Sequence, residues 1–411
     1  MRFGLDRMRR MMTVLGSPQR RIDTVHVVGT NGKTSTTRMV AAILQRHGLR
    51  TAAYTSPHLI SYRERLQVDE RDIDADAFAA AIARAAWAAE RVNRTLAGDD
   101  HVTQFELLTA AALWQMAERG VAVAAIEAGL GGRYDATSVV EPRVTALTNV
   151  GLEHTRWLGP TLRDIAEEKL AVVRPATTLV LGADLAPAAL AVAQRVAGER
   201  GTRILTAPAG WGGAALGASG EFQRRNFSLA RVVAETYLRD AGIEPREAAV
   251  REAAAATRVR GRLQVVDRDP LTVLDGAHNP DAVRALLRSL PEITGERPLA
   301  LVLGVLEDKD AVGMLAPLLA AAERAWFTAP PSARALSPAA LQSLARQLGF
   351  ERVAGEPSPE RALADAQRWA AERGGAVLAT GSVYLVGELL AGLAGEDAAE
   401  DSRDPRRRAA S

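Results

Sequence analysis

Residues 24–35 read Thr24-Val25-His26-Val27-Val28-Gly29-Thr30-Asn31-Gly32-Lys33-Thr34-Ser35, an apolar β-branched run that leads into a glycine-rich turn. A segment of helical composition follows as far as Leu44. This order is typical of a P-loop, in which backbone N–H groups and a lysine hold phosphate oxygens and a hydroxyl binds Mg²⁺. The stretch departs from the full motif at Val27, which replaces its leading glycine, and the plainer alternative is a glycine turn with a solvent-exposed lysine. We predict a nucleotide-binding site formed by Gly29, Thr30, Asn31, Gly32, Lys33, Thr34 and Ser35.

Short apolar runs alternate with longer helical segments along the rest of the chain, which indicates βαβ units and a mainly parallel sheet. A glycine-rich loop at 206–220 and renewed alternation after 260–262 predict a domain boundary. We therefore expect a P-loop NTPase-like α/β domain at 1–260, a smaller Rossmann-like α/β domain at 261–395 and a charged, disordered tail at 396–411. The clearest predicted strands are 24–28, 121–126, 144–148, 178–181, 271–274, 299–303 and 376–379.

Composition excludes several classes of protein. The chain has 411 residues, 47% of them hydrophobic, which is enough for two or three domains. A net charge of +2, from 51 basic and 49 acidic residues, argues against a nucleic-acid-binding surface or a polybasic membrane anchor. The absence of cysteine excludes disulfides, thiolate nucleophiles and cysteine-based zinc sites. No apolar run approaches the roughly 18 residues of a membrane span, so we expect a cytoplasmic protein.

Polar, glycine-rich clusters follow several predicted strands, at the edge where open α/β sheets bind ligands. They occur in the order TSPHL (55–59), RERL (63–66), GLGGRYDAT (129–137), GLEHT (151–155), GRLQVV (261–266), LDGAHNP (274–280) and LVLGVLEDKD (301–310). Together they resemble the folylpolyglutamate synthase family of the Mur ligase superfamily. The resemblance runs from 3–7 to 381–384, and the family's usual leader is largely missing, which leaves a misassigned start or a truncation open.

The resemblance implies an ATP-dependent ligase that joins L-glutamate to dihydropteroate and to the γ-carboxylate of tetrahydrofolate, with ADP and phosphate as products. TQFE at 103–106 favours the bifunctional bacterial type over polyglutamylation alone. The implied partners are these small molecules, with no nucleic acid or membrane, and the implied oligomeric state is a monomer. Three alternatives stay open: a Mur-type peptidoglycan ligase, a P-loop ATPase that switches a partner's conformation, and a non-catalytic nucleotide-binding scaffold.

Glu127 ends an otherwise apolar strand, where a carboxylate is costly to bury unless it meets a cation. A Mg²⁺ ligand is therefore favoured over a buried ion pair. Thr34 is the P-loop hydroxyl, Ser56 alone is most often a helix cap, and a lone His154 is ordinarily a surface or core residue. The resemblance implies that Ser56, Glu127 and His154 hold two magnesium ions, one at the ATP phosphates and one at the reacting carboxylate.

Three residues are predicted to be catalytic. Lys33 would neutralise the transferred phosphoryl group. A metal ion or His154 would stabilise the oxyanion of a tetrahedral intermediate that follows an acyl phosphate. Lys169 follows two acids in a probable helix, and the residues alone favour a surface lysine. The resemblance instead implies that CO₂ carbamylates Lys169, although this chain reads EEKLAVVRP where the family is closer to EKAGIIKP.

Asp275 follows the apolar strand 271–274, and its plainer role is to cap the turn into the next helix. The resemblance implies that Asp275, His278, Arg262 and Asn226 contact the nucleotide, with domain closure completing the site.

The resemblance also implies a set of dihydropteroate contacts. Phe105 would stack on a flat ring and Glu106 would accept hydrogen bonds from pterin N–H groups, whereas a phenylalanine in an apolar helix is more often simply part of the core. The whole predicted set is Gly4, Leu5, Asp6, Arg7, Thr103, Gln104, Phe105, Glu106, Arg133 and Asp135.

Overall fold

The computed structural model describes residues 4–213 and 215–403. The chain divides into two compact units, one of Met1–Ala218 with Gln223–Arg258 and the other of Ser219–Phe222 with Val259–Ser411. No helix in the described part of the chain is both long and apolar enough to cross a membrane.

The first unit is built on an eight-stranded sheet. Its strands are β1 Asp23–Val28, β2 Thr51–Tyr54, β3 Leu66–Val68, β4 Arg71–Asp72, β5 Val123–Glu127, β6 Val144–Leu147, β7 Thr178–Leu181 and β8 Arg203–Thr206. The order is β4-β3-β2-β5-β1-β6-β7-β8, and all pairs are parallel except β2–β3 and β3–β4. Parallel strands end at one edge, so the loops after β1, β2, β5 and β6 meet there.

Among the residues that the structure describes, this unit has nine α-helices: α1 Asp6–Val14, α2 Lys33–Arg46, α3 Ala75–Asn93, α4 Gln104–Glu118, α5 Thr155–Leu158, α6 Leu162–Leu170, α7 Pro187–Arg200, α8 Glu221–Asp240 and α9 Glu247–Ala256. One apolar cluster fills the space between α1, α3, α4 and the sheet, with Met8, Ala85 and Leu113 at its centre. A second lies between β6, β7, α6 and α7. Their apolar faces explain why these helices pack against the faces of the sheet.

The second unit has a six-stranded sheet of β9 Gln264–Arg268, β10 Leu271–Leu274, β11 Leu299–Leu303, β12 Arg324–Phe327, β13 Val353–Gly355 and β14 Ala376–Thr380. The order is β13-β12-β11-β14-β10-β9, and only β9 is antiparallel. The helices are α10 Pro280–Ser289, α11 Pro291–Thr294, α12 Ala311–Ala320, α13 Pro338–Gln347, α14 Pro359–Ala371 and α15 Val383–Arg403. Leu301, Leu315 and Leu378 are fully buried in its core.

Two α/β units with mainly parallel sheets confirm the predicted fold class. The chain end differs from expectation, because α15 continues to Arg403 through residues expected to be a disordered tail from 396. Residues 396–403 contain no proline or glycine to end the helix. The rest of that predicted tail, 404–411, lies outside the described residues.

Candidate active site

The P-loop connects β1 to α2, and two of its glycines are required by close packing. Gly29 has φ +150°, and a Cβ there would lie 1.8 Å from Thr148 Oγ1. Gly32 has φ +81°, and its Cβ would lie 2.4 Å from Asn226 Oδ1. Any larger residue would have to displace the loop after β6 or the side chain from α8. The predicted nucleotide residue Asn226 therefore lies against the P-loop.

The loop after β6 fixes the P-loop backbone through hydrogen bonds. The Asn31 N–H donates to Asn149 Oδ1 at 2.9 Å, and the Thr148 hydroxyl donates to the Asn31 carbonyl at 2.7 Å. The Thr30 hydroxyl accepts from the Gly151 N–H at 3.0 Å. Thr148 and Asn149 were not among the predicted site residues, although they follow an apolar strand as directly as Glu127 does. Their position after an apolar strand is the sequence signal that could have identified them as site residues.

Two lysines donate hydrogen bonds to the P-loop. Lys33 Nζ lies 3.0 Å from the Thr30 carbonyl oxygen, and Lys169 Nζ lies 2.7 Å from that of Gly29. Lys169 is only 5% exposed, so the surface lysine favoured by the residues alone is wrong. Burial, with a smaller contribution from the charge of Lys33, lowers the pKa of Lys169 to about 7. A fraction of its amine is therefore neutral and nucleophilic near neutral pH.

Glu127 joins the P-loop helix to the loop after β2. The Thr34 hydroxyl donates to its carboxylate at 2.9 and 3.0 Å, and the Ser56 N–H donates to Oε2 at 3.1 Å. Glu127 is 2% exposed. Ser56 lies between β2 and the 3₁₀ helix Tyr62–Arg65, so its hydroxyl belongs to the same loop edge. The predicted metal-binding residues Thr34, Ser56 and Glu127 are thus brought together.

The donor set at Glu127 fits Mg²⁺ better than a transition metal. The described residues contain no group of three or more His, Cys, Asp or Glu side chains arranged for a metal ion. Mg²⁺ in nucleotide sites is held by one or two carboxylates, hydroxyls, water and phosphate oxygens, so it needs no such group. A buried carboxylate beside the P-loop hydroxyl satisfies that requirement.

His154 lies on the loop after β6, at the same sheet edge. It precedes α5 with a left-handed backbone, φ 54°. Its side chain is 38% exposed, with Nε2 3.9 Å from Glu153 Oε1. The ring is thus accessible to a ligand at this edge.

The residues of α1 and α4 that were predicted to contact the pterin substrate form hydrogen bonds with one another. Arg7 Nε donates to both Glu106 oxygens, at 3.1 and 3.0 Å, and its Nη1 donates to Asp100 Oδ1 at 2.8 Å. Glu106 Oε2 also accepts from the Thr103 N–H at 2.8 Å, and Thr103 Oγ1 accepts from the Glu106 N–H at 3.2 Å. This capping box starts α4. Both Glu106 oxygens accept hydrogen bonds within the protein, so Glu106 has a structural role at the start of α4, and its pterin contact stays a prediction.

The other residues that were predicted to contact the pterin substrate lie either at the surface or near the loop after β5. Leu5 is the N-cap residue of α1, after Gly4, and the exposed Asp6 pairs with Arg10 at 2.8 Å. The Gln104 amide donates to the Tyr62 hydroxyl at 3.1 Å.

Phe105 is partly buried against the α3–α4 cluster, as the core alternative predicted, yet its ring also reaches the loop after β5. A Cβ on Gly129 would lie 2.6 Å from Phe105 Cζ. In the same loop, Arg133 Nε pairs with Glu168 at 2.7 Å. Asp135 is 5% exposed, and burial raises the pKa of its carboxyl against the lowering effect of its hydrogen bonds.

A narrow apolar pocket lies on the α3–α4 side of the sheet. Arg65 is the only charged residue among those that line it. The pocket is lined by Tyr54, Tyr62, Arg65, Leu66, Ile73, Phe78, Ala81, Leu108, Ala111 and Ala112.

The remaining predicted nucleotide contacts lie in the second unit, around the turn after β10. Asp275 Oδ1 accepts from the Ala277 N–H and Oδ2 from the Leu263 N–H, both at 2.8 Å. The carboxylate therefore caps this turn, and burial raises its pKa. Arg262 Nη1 donates to the carbonyl of the preceding residue at 2.9 Å, and His278 Nδ1 lies 2.9 Å from a carbonyl two residues before it.

Sequence comparisons match both units to known families. The Mur ligase middle domain matches residues 27–206, and the Mur ligase glutamate ligase domain matches residues 261–383. Folylpolyglutamate synthase of Lacticaseibacillus casei is 33% identical over 82% of this chain and 84% of its own length. Dihydrofolate synthase/folylpolyglutamate synthase of Escherichia coli is 31% identical over 89% and 85%. The chain spans 48% of a Haloferax volcanii relative, a probable bifunctional folylpolyglutamate synthase/dihydropteroate synthase, at 36% identity over 94% of this chain.

Solved structures agree over almost the whole chain. A Mycobacterium tuberculosis folylpolyglutamate synthase complexed with ADP and AMPPCP superposes with TM-score 0.89 at 29% identity, covering 95% of both chains. Escherichia coli FolC in complex with DHPP and ADP gives 0.84 at 28%, covering 97% and 94%. A bifunctional Yersinia pestis enzyme complexed with AMPPNP and Mn ion gives 0.82 at 28%, covering 96% and 94%. The chain therefore belongs to the folylpolyglutamate synthase and dihydrofolate synthase family of Mur ligases, which confirms the resemblance drawn from its motifs.

Proposed function

We propose that this protein is an ATP-dependent ligase that joins L-glutamate to dihydropteroate and to the γ-carboxylate of tetrahydrofolate, with release of ADP and phosphate. The observation that carries the proposal is the cluster of Thr34, Ser56 and Glu127 beside the P-loop. Relatives with both activity names and a relative complexed with DHPP and ADP support the acceptor class.

ATP and a divalent cation are the proposed cofactors, and relatives complexed with nucleotides and with Mn ion support them. Thr34, Ser56, Glu127 and His154 would hold Mg²⁺. When bound, the cation supplies positive charge to the ATP phosphates and to the reacting carboxylate. Two ions are proposed, as the family resemblance implies.

The chemistry begins with a carboxylate, which is a poor electrophile until one oxygen becomes a leaving group. The acceptor carboxylate attacks the γ-phosphorus of ATP, the bond to ADP breaks, and an acyl phosphate forms. Lys33 neutralises charge on the transferred group, while the N–H groups of residues 29–35 orient the phosphates. The neutral glutamate amine then attacks the acyl carbon and His154 stabilises the oxyanion. The C–N bond forms, the C–O bond to phosphate breaks, phosphate leaves with that oxygen, and the nitrogen loses a proton to solvent.

Lys169 is the proposed carbamylation site. Its neutral amine attacks CO₂ and loses a proton, which gives an anionic carbamate that would help hold the second metal ion. The pKa of about 7 supports the proposal, because a normal lysine is almost wholly protonated at neutral pH.

The acceptor is proposed to bind at the carboxyl edge between the loops after β2 and β5. Phe105 and Gln104 at the start of α4, Arg133 and the loop of residues 129–135 would line this region. The ion pair between Arg7 and Glu106 and the capping box of Glu106 support a role for both residues in holding α1 and α4 together beside this region.

The nucleotide contacts proposed beyond the P-loop are Asn226, Arg262, Asp275 and His278. Asn226 has direct structural support from its packing against Gly32. The other three stay predictions for side chains of the second unit.

The proposal is tested by measuring ADP release with Mg²⁺-ATP and glutamate, either without acceptor or with dihydropteroate or tetrahydrofolate, with products weighed by mass spectrometry. A product heavier by one glutamyl residue with both acceptors is expected. Product with tetrahydrofolate alone would reduce the activity to polyglutamylation. ADP release indifferent to both acceptors would refute the proposal in favour of a peptidoglycan ligase or an ATPase.

A further inference from the structure

A buried chain of hydrogen bonds connects β1 with the loop after β5. His26 Nε2 lies 2.8 Å from Thr137 Oγ1, and Thr137 Oγ1 lies 2.5 Å from Asp135 Oδ1. The three residues are 1%, 0% and 5% exposed. His26 and Thr137 carry no role in the proposed chemistry, so the reason for burying three polar side chains in contact has to be sought in what they hold.

The hydrogen bonds have a defined direction. The Thr137 N–H donates to Asp135 Oδ1 at 3.0 Å, and the Leu130 N–H donates to Oδ2 at 2.8 Å. Both carboxylate oxygens of Asp135 accept hydrogen bonds from N–H groups, as an ionised carboxylate does. The single hydrogen of the Thr137 hydroxyl therefore also points to Asp135. Thr137 Oγ1 is then left as an acceptor, and His26 must donate from Nε2.

His26 is suited to this role because it stays neutral. Burial, with a smaller effect from the charge of Arg174, lowers its pKa to about 3. A neutral imidazole carries one hydrogen, and here Nε2 holds it, which leaves Nδ1 as an unprotonated acceptor. Nδ1 has no hydrogen-bond partner among the described residues. Only the Nε2–H tautomer avoids burying an unsatisfied N–H donor.

The chain of hydrogen bonds ends on the loop that faces Phe105. A Cβ on Gly129 would lie 2.6 Å from Phe105 Cζ and 3.1 Å from Asp135 Oδ2, so the backbone there is confined between ring and carboxylate. The same loop is attached to α6, since the Arg133 N–H donates to the Glu168 carbonyl at 3.1 Å. A shift of Asp135 would therefore move the surface that Phe105 packs against.

We propose that His26 and Thr137 are positioning residues for acceptor binding, which hold Asp135 in one orientation and thereby fix residues 129–135 against Phe105. This inference rests on the proposed function, because it assumes that the pterin acceptor binds beside Phe105. Neither residue touches the acceptor, and both act through Asp135.

The test compares Thr137→Val, which keeps the shape and removes the hydroxyl, with Thr137→Ser, which keeps the hydroxyl. Thr24→Val is the matched control, because Thr24 is 1% exposed on the same strand as His26 and its hydroxyl has no partner among the described residues. The KM for dihydropteroate, the KM for ATP and kcat are measured for each. Thr137→Val is expected to raise the dihydropteroate KM about tenfold, with the other constants within about twofold, since a hydrogen bond to a charged group is lost. Thr137→Ser and Thr24→Val should stay near the unsubstituted protein.

An unchanged dihydropteroate KM in folded Thr137→Val, or an equal rise in Thr24→Val, would overturn the proposal. A second measurement needs no turnover and no stable variant at Thr137. The ¹⁵N NMR spectrum of the six histidines, with His26 assigned by comparison with His26→Gln, should show His26 protonated at Nε2 and not at Nδ1 between pH 6 and 8. The opposite tautomer, or a charged ring, would refute the proposed direction of the chain of hydrogen bonds. If the unsubstituted protein glutamylates no pterin, the proposed function fails. The histidine spectrum still shows whether His26 donates to Thr137 in the chain of hydrogen bonds.

Discussion

Glu127 is the residue on which the proposed metal chemistry depends most, because it is the buried carboxylate in contact with the P-loop hydroxyl. Glu127→Gln keeps the volume and an acceptor for the Thr34 and Ser56 donors but removes the charge. We expect kcat to fall by about 100-fold or more and the Mg²⁺ requirement to rise. The free energy of unfolding should fall by less than about 1 kcal/mol, since a desolvated charge is also removed. Steady-state kinetics over a Mg²⁺ series and urea denaturation check this.

The control for that substitution is Glu118→Gln, in which the same change is made to a side chain that is 47% exposed and paired with Arg21. It should leave kcat within twofold. A near-normal kcat in Glu127→Gln would remove Glu127 from the metal site.

Carbamylation of Lys169 has a predicted pH dependence. Burial places its pKa near 7, so the reactive neutral amine is depleted below pH 7 and predominates above it. At fixed dissolved ¹³CO₂, a protein carbamate signal in the ¹³C NMR spectrum should therefore rise as pH passes upward through about 7. Lys169→Arg should abolish the signal and Lys309→Arg, a lysine of the second unit, should retain it. A signal that persists in Lys169→Arg would assign the carbamate elsewhere.

The residues whose position at the sheet edge could be read from the sequence are those with a local signal. The glycines of the P-loop and Glu127 follow directly after apolar strands, so their position on the sheet edge was readable. The burial of Lys169 and the pairing of Arg7 with Glu106 could not be read from the sequence, because each depends on a partner at least 99 residues away in the chain. No periodicity within one helix reports such a partner.

At the scale of elements, the Arg7–Glu106 ion pair joins the first turns of α1 and α4. Both side chains are 7% exposed. Glu106→Gln removes the carboxylate charge on which both hydrogen bonds from the buried guanidinium to Glu106 depend and weakens the capping box of α4, so we expect a loss of about 3 kcal/mol in the free energy of unfolding. Urea denaturation measures it. Asp6→Asn is the matched control, because the Asp6–Arg10 pair is exposed and should contribute less than about 1 kcal/mol. Equal losses in the two variants would refute a special role for the buried pair.

The strands that sequence identified are the apolar ones in the middle of each sheet, such as β1 and β11, since burial on both faces requires a continuous apolar run. The missed strands are short or lie toward the edges. β2 is Thr-Ala-Ala-Tyr, and alanine is a poor strand former. β4 has two residues and both are charged. Such strands form because the hairpin and the neighbouring strand supply hydrogen-bond partners, which is information that lies outside their own sequence.

At the scale of the whole molecule, we propose that the division near residue 260 separates two domains that fold independently. The six strands β9 to β14 and the helices α10 to α15 all lie within residues 259–403, and their core cluster is drawn from the same range except for Phe222. Phe222 packs on this core, and the Glu221 N–H donates to Ser289 Oγ at 3.0 Å. A fragment of residues 259–403 therefore keeps its sheet and loses only this short segment.

We expect that fragment to unfold cooperatively in urea, with near-UV circular dichroism retained below the transition. Loss of the Phe222 contact should lower its stability by about 1–3 kcal/mol, the usual contribution of a phenylalanine that is buried in part or in full. Phe222→Ala in the full chain provides the matched comparison and should destabilise the second unit by a similar amount, while Tyr384→Ala, a change at a 37% exposed aromatic residue, should not. A fragment that binds a hydrophobic dye and unfolds without a cooperative transition would mean that the second unit needs the first for its folding. The proposed domain division would then describe the geometry of the chain but not its energetics.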